Sequence, residues 1–223
     1  MHANKHRSGA GRRAVQAFLG RQFGNPSGVA GRLAGWLMET RPSNRRRNEW
    51  TVDLLDIQPR HRVLELGYGP GIALRRAAGR AEQGLVVGID RSATMHELAS
   101  RRNRDLVEAG RVDLNIGAVE RMDEVLGDEA LLLFDRVFAV NAIMFWQEPA
   151  ARIRELAARL APGGRMAFTW QPRLGDQTDE AALRTGLKIE EWLRDAGLTG
   201  LRIERLPELT PMAVCVLGDK APA

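Results

Sequence analysis

The sequence predicts an α/β fold: a doubly wound, mostly parallel sheet that ends in an antiparallel hairpin and is preceded by a helical cap. Three observations predict it. An apolar stretch at 62–66 runs straight into glycines at 67, 69 and 71, and a helical pattern follows at 72–81. Further apolar strands at 84–90, 111–116, 134–140 and 165–170 alternate with helical patterns, the order expected of a parallel sheet with crossover helices. Last come 201–206 and 212–217, joined by the turn 207–211, which read as a hairpin.

Taken in order, 1–13 is basic, rich in small residues and reads as a disordered tail. Residues 14–50 read as a helical cap. Val15, Phe18, Leu19 and Phe23 share one side of a first segment, 24–28 breaks it, and Leu33, Trp36 and Leu37 recur at helical spacing in a second. Ser43 is placed to cap a third helix, 44–55, that leads to the turn at Gln58 and Pro59. These segments hold too few apolar residues for a core of their own, so they should lie on the main domain, 51–223.

Within that domain, 92–109 reads as one long helix with Met95, Leu98, Leu106 and Val107 buried. The amphipathic helix at 149–160 carries Ile153, Leu156, Ala157 and Leu160 on one stripe, and Pro162-Gly163-Gly164 turns the chain into the fifth strand. A final helix at 180–196 should face inward through Leu183, Leu187, Trp192 and Leu193.

The chemistry concentrates in Val63-Leu64-Glu65-Leu66-Gly67-Tyr68-Gly69-Pro70-Gly71. Glycines at the end of a buried strand let a ligand lie against bare backbone. Their spacing is G-x-G-x-G, not G-x-G-x-x-G, and an acid, Glu65, sits two residues ahead of the first. A dinucleotide brings a pyrophosphate, which disfavours a nearby carboxylate, whereas S-adenosylmethionine brings a sulfonium and an ammonium and no phosphate. The second strand ends in Asp90, about 20 residues beyond the glycines, the usual distance for a carboxylate on ribose hydroxyls. Asp90 is also placed to act as a helix N-cap, and the two roles are compatible.

These residues resemble the Rossmann-like, S-adenosylmethionine-dependent methyltransferase family over about 50–218, with Val63 to Gly71 similar to its first motif and Val87-Gly88-Ile89-Asp90 similar to its second. The resemblance implies a seven-stranded sheet and S-adenosylmethionine as cofactor. It implies cofactor contacts from Glu65, Gly67, Tyr68, Gly69, Gly71, Asp90, Arg91, Ala118, Val119 and Asn141. The sequence departs from the family at Ala118, where an acid commonly meets the adenine amino group, and the backbone near Val119 is left to serve. Asn141 follows the fourth strand but precedes Ala142-Ile143, not the Pro-Pro of DNA amino-methyltransferases, so a nucleobase-amine mechanism is not supported. The cofactor half also resembles the ubiquinone and menaquinone C-methyltransferases.

Trp36, Trp50, Phe145, Trp146 and Trp170 all fall in the cap or near strand C-terminal ends, and they are the expected acceptor-binding residues. No histidine follows a strand end; His96, inside a helix, is the nearest candidate base, and no catalytic residue is assigned. Nothing demands a metal: Cys215 is the only cysteine, which excludes an internal disulfide and a multi-cysteine zinc site. The chain of 223 residues carries a formal +5, but 1–50 hold ten basic and two acidic residues, leaving the remainder slightly acidic. That basic arm fits nucleic acid, an anionic membrane surface or an acidic substrate, or simply a solvated face. No apolar run approaches a membrane span and no signal segment is recognisable, so a cytoplasmic protein is expected. The leading expectation is methyl transfer to a small-molecule or lipid-like acceptor. The alternatives are a nucleic-acid methyltransferase that uses the basic arm and a non-catalytic cofactor-binding regulator.

Overall fold

The structure, a computed structural model, describes residues 41–127, 132–173 and 175–223. Seven strands form one sheet in the order β3-β2-β1-β4-β5-β7-β6. They are β1 Arg62–Leu66, β2 Leu85–Asp90, β3 Val112–Ile116, β4 Phe134–Val140, β5 Leu160–Trp170, β6 Thr199–Leu206 and β7 Ala213–Asp219. β1 to β5 are parallel, and β7 runs antiparallel between β5 and β6. The order reverses between β1 and β4, where a doubly wound sheet opens a crevice at its carboxyl edge.

Seven helices accompany the sheet among the described residues: α1 Pro42–Leu54, α2 Ile72–Arg80, α3 Ala93–Arg102, α4 Arg104–Glu108, α5 Met122–Leu126, α6 Pro149–Arg159 and α7 Asp179–Asp195. Because side chains alternate along a strand, each strand feeds two cores. Leu64, Leu66, Val87, Ile89 and Val137 pack on one face against Ile153 and Leu156 of α6 and Ile189 and Leu193 of α7. Val63, Val86 and Phe138 pack on the other against Val52 of α1, Leu74 and Ala77 of α2 and Ala99 of α3.

α1 is fastened to the sheet largely by polar contacts. Its buried face is Asn44, Arg47, Asn48, Thr51 and Val52. Arg136 of β4 donates from Nε to the Leu55 carbonyl at 2.6 Å and from Nη2 to the Asp56 carbonyl at 3.0 Å, satisfying groups that a helix end leaves open. The Thr51 and Thr169 hydroxyls meet at 2.6 Å. The helix starts at Pro42, with Arg41 as an extended N-cap and no side-chain cap, so Ser43 lies inside the first turn and does not cap it. Proline at the first helical position costs no hydrogen bond and presets φ, which explains the earlier start.

Five further expectations are corrected. The helix expected over 92–109 is two, because Asn103 is fully buried and its amide donates to the Gly71 carbonyl at 3.2 Å and the Ala99 carbonyl at 2.9 Å. That side-chain bonding competes with the helical ladder at the break. Ser92, not Asp90, caps α3 through the Met95 N–H. Val107 is exposed. On α7 the inward stripe is Ala182, Gly186, Ile189 and Leu193, while Leu187 is 58% exposed, being rotated off the face that brings Gly186 against Val214. β5 begins at Leu160, and its register against β4 shifts between Phe134 and Arg136, so Pro162-Gly163-Gly164 bulges within the strand. No helix among the described residues is long and apolar enough to cross a membrane.

Candidate active site

A cavity of about 310 Å3 opens at the carboxyl edge of the sheet, where the strand order reverses. The first wall is the glycine turn. Gly67 donates to the Ile89 carbonyl at 2.7 Å and Gly71 to the Tyr68 carbonyl at 3.0 Å, which folds the turn back over β1 and β2. All three motif glycines have positive φ, but they do different work. A Cβ on Gly67 would lie 2.5 Å from the Ala142 Cβ, and one on Gly71 would lie 2.5 Å from the Asn103 amide and 2.9 Å from the Ala99 Cβ. A Cβ on Gly69 would meet nothing within 4 Å, so only this glycine keeps open space beside the cavity.

Asp90 closes the turn from β2. Its Oδ2 accepts from the Gly69 N–H at 2.8 Å and its Oδ1 from the Ser92 N–H at 2.9 Å, leaving each oxygen a further lone pair for a hydroxyl. Burial raises its pKa, opposed by those two N–H bonds and by Arg91 and His96. Glu65 does not line the cavity. By strand alternation its side chain points with Val63 toward α2; it is 1% exposed and its Oε2 has no hydrogen-bond partner. Burial, then the Asp90 charge, pushes its carboxyl well above the usual range. Tyr68 is buried, its hydroxyl sits 3.0 Å from His96 Nδ1, and burial raises its pKa. His96 is thus engaged behind the turn and does not line the cavity.

Arg91, Ala118 and Val119 also line the cavity, the last two at the turn after β3, where Gly117 donates to the Asp90 carbonyl at 3.0 Å. Asn141 lines it from the end of β4 with φ 56°, a left-handed conformation that asparagine tolerates. Its side chain exchanges hydrogen bonds of 2.9 Å with the N–H and carbonyl of Gln171, so it is committed to pinning β4 to β5. Gly71 belongs to the helix packing behind the turn and is not a cavity residue.

Of the aromatic residues, Phe145, Trp146 and Trp170 line the cavity. Phe145 meets Trp170 edge-on at 6.3 Å, and Trp146 stands perpendicular to the buried Phe168 at 5.8 Å, contacts that fix both rings. Trp50 is corrected: it does not line the cavity but packs beside it, against Leu206, Leu209 and Ala213 and against the core that holds Val52, while Arg47 of the same helix takes the cavity-facing position. Trp36, together with the tail 1–13 and most of the cap 14–50, lies outside the described residues.

The sequence reading missed one wall. Arg41, Asn44, Arg47 and Asn48 at the start of α1, and Arg173 after β5, line the cavity. Arg47 is 5% exposed, and it donates from Nη1 to Gln171 Oε1 and from Nη2 to Asn44 Oδ1, each at 2.5 Å. Burial, then the neighbouring Arg173, brings its pKa down to about 9. Polar residues at i, i+3, i+4 and i+7 from Asn44 to Thr51 were the available signal, since they mark one helical face. No cluster of three or more histidine, cysteine or acidic residues suited to a metal occurs among the described residues. Cys215 is buried on β7, and burial pushes its thiol up to about 12, an unreactive strand thiol.

These residues suit S-adenosylmethionine on two counts. Gly69 leaves free the space that a Cβ would fill, and Asp90 retains acceptor capacity at the end of β2. Comparison with known proteins agrees. The family model described as a methyltransferase domain matches residues 63–164. An uncharacterised methyltransferase, YdaC, of Bacillus subtilis is 29% identical over 188 residues, 84% of this chain and 98% of that protein. Among solved structures, an S-adenosylmethionine-dependent methyltransferase from Aquifex aeolicus superposes with a TM-score of 0.61 at 18% identity, covering 83% of this chain and 97% of that one. The [4+2]-cyclase SpnF superposes equally well, at 0.61 and 20% identity over 81% of this chain and 82% of its own, so the shared fold by itself does not fix a reaction. The glycine motif, the acid ending β2, the sheet order and the matching methyltransferase domain together make this chain a member of the Rossmann-like, S-adenosylmethionine-dependent methyltransferase family.

Proposed function

We propose that this methyltransferase acts on a small-molecule or lipid-like acceptor held between the glycine turn and the aromatic residues at the ends of β4 and β5. The observation that carries the reading is the placement of Phe145, Trp146 and Trp170 on the cavity that Gly69 and Asp90 also line. When bound, the cofactor supplies an electrophilic methyl on a sulfonium. Gly67, Tyr68, Gly69, Asp90, Arg91, Ala118, Val119 and Asn141 would hold it, with Glu65 acting from behind the turn. The contribution of the chain is positioning and exclusion of water, which suffices for in-line displacement when the acceptor offers a lone pair or carbanion. Trp146, braced by Phe168, would set the acceptor against the methyl, and Asn141 would hold the two strand ends in register.

Incubation of the full chain with methyl-labelled S-adenosylmethionine and separate pools of small metabolites, lipids, duplex DNA and transfer RNA tests this. Label should enter an extractable small molecule or lipid. Label confined to nucleic acid would overturn the reading in favour of an enzyme that uses the basic arm.

A further inference from the structure

We propose that Arg47, with Arg173 and Arg41 beside it, forms an anion subsite that takes a carboxylate or phosphate group of the methyl acceptor. This deepens the function proposed above and rests on it.

Arg47 is nearly sealed from water yet lines the cavity, and its two occupied nitrogens are met only by the neutral amide oxygens of Gln171 and Asn44. Its Nε has no partner. Gln171 is itself fixed, because its own amide nitrogen donates to the Pro211 carbonyl at 2.6 Å. Among the described residues no carboxylate pairs with Arg41, Arg47 or Arg173; the Arg173 guanidinium reaches only the Ser43 hydroxyl, at 3.3 Å. Burial and the adjacent arginine disfavour the charge on Arg47 and on Arg173 alike. Many arginines elsewhere among the described residues are paired with a carboxylate, as Arg75 is with Asp105 and Arg76 with Asp53. Buried charges are ordinarily paired, and a guanidinium fork suits the two oxygens of a carboxylate or phosphate.

The cofactor does not supply enough negative charge to answer this wall. It carries a sulfonium, an ammonium and one carboxylate, a net positive charge, so its arrival adds to the electropositive field. A second anion is required, and the acceptor is the remaining occupant of the cavity. The apolar rings of Phe145, Trp146 and Trp170 would receive the body of such a molecule.

The test uses the full chain saturated with S-adenosylhomocysteine and titrated calorimetrically with phenylacetate, phenyl phosphate and the neutral phenylacetamide. At least one anion should bind more tightly than the amide. Arg47→Gln should weaken that binding about ten- to a hundred-fold, the loss of a charge-assisted pair of hydrogen bonds, with partial rescue by Arg47→Lys. Arg173→Gln, at a less buried position, should weaken it less and serves if Arg47→Gln does not fold. S-adenosylhomocysteine affinity should stay within about three-fold in each variant, a margin well under one hydrogen bond to a charged group. Equal or absent binding of anions and amide overturns the proposal. Loss of S-adenosylhomocysteine affinity in the arginine variants without loss of anion preference also overturns it, and assigns the arginines to the methionine carboxylate. Failure of the wild type to bind S-adenosylhomocysteine at all would instead count against the function proposed above.

Discussion

The glycine-turn wall of the cavity carries Asp90, with Glu65 buried behind it, whereas the wall built by α1 and the end of β5 carries Arg41, Arg47 and Arg173. Both walls keep ionisable groups out of water, and burial works against the charged form in each: the carboxyls of Glu65 and Asp90 are raised, and the guanidinium of Arg47 is lowered. Ionisable groups buried at such a cost suit a ligand of the opposite sign, which favours their charged forms. A cationic methyl donor suits the acidic wall, and the two walls divide the cavity by charge. The walls also differ in construction. The acidic wall is made by backbone N–H groups turned toward Asp90, the basic one by side chains reaching in from a helix.

The largest effects should come from separating the three motif glycines. Gly71→Val and Gly67→Val force a side chain into Asn103 and Ala99 or into Ala142, and both should lose the cooperative thermal transition seen by circular dichroism. Gly69→Val has room within the protein, keeps its melt to within the ~1–2 kcal/mol of a left-handed residue, and should lose cofactor binding altogether. A folded Gly71→Val, or an unfolded Gly69→Val, would break the division of labour between them.

Asp90→Ala should weaken cofactor affinity by about 1.5–3 kcal/mol, the cost of removing a charged acceptor from ribose hydroxyls. Unchanged affinity by calorimetry would remove Asp90 from the site. Trp146→Ala should raise the acceptor KM with cofactor affinity unaltered. Trp50→Ala, outside the cavity lining, should cost about 2–3 kcal/mol of stability and leave the KM alone. A KM effect from Trp50 would contradict its placement against Leu206 and Leu209.

The smallest effect is a pH dependence. For Glu65 and Asp90 the folded carboxyls are raised above the unfolded values of 4.5 and 3.8, so the folded state prefers them protonated. Their relative contribution to stability is therefore intact below those values and is lost as pH rises toward the folded ones. Glu65→Gln should raise the melting temperature of the cofactor-free protein at neutral pH and lose that advantage in acid, while weakening cofactor binding. A variant less stable than wild type at neutral pH would show that the Glu65 side chain is needed for structure.

The acidic wall was legible because a contiguous motif makes it: glycine spacing, Glu65 and a strand ending in Asp90 lie within 26 residues of one another. The sheet was legible for the same reason, since alternation and strand length are local properties. The basic wall joins Arg47 to Gln171, residues 124 apart, and only the docking of α1 on β5 brings them together. Asn103 broke a helix that periodicity extended, because its amide is needed under Gly71. Trp50 was misplaced because the inward face of α1 is polar, against the usual expectation that a tryptophan marks the buried side.

The central claim, that the acidic wall receives a cationic methyl donor and not a dinucleotide, is tested most directly by calorimetric titration of the full chain with S-adenosylmethionine and, separately, with NADH. Saturable one-to-one binding of S-adenosylmethionine that is lost in Gly69→Val, with no heat from NADH, is the result expected. Binding of NADH in preference to S-adenosylmethionine would contradict it.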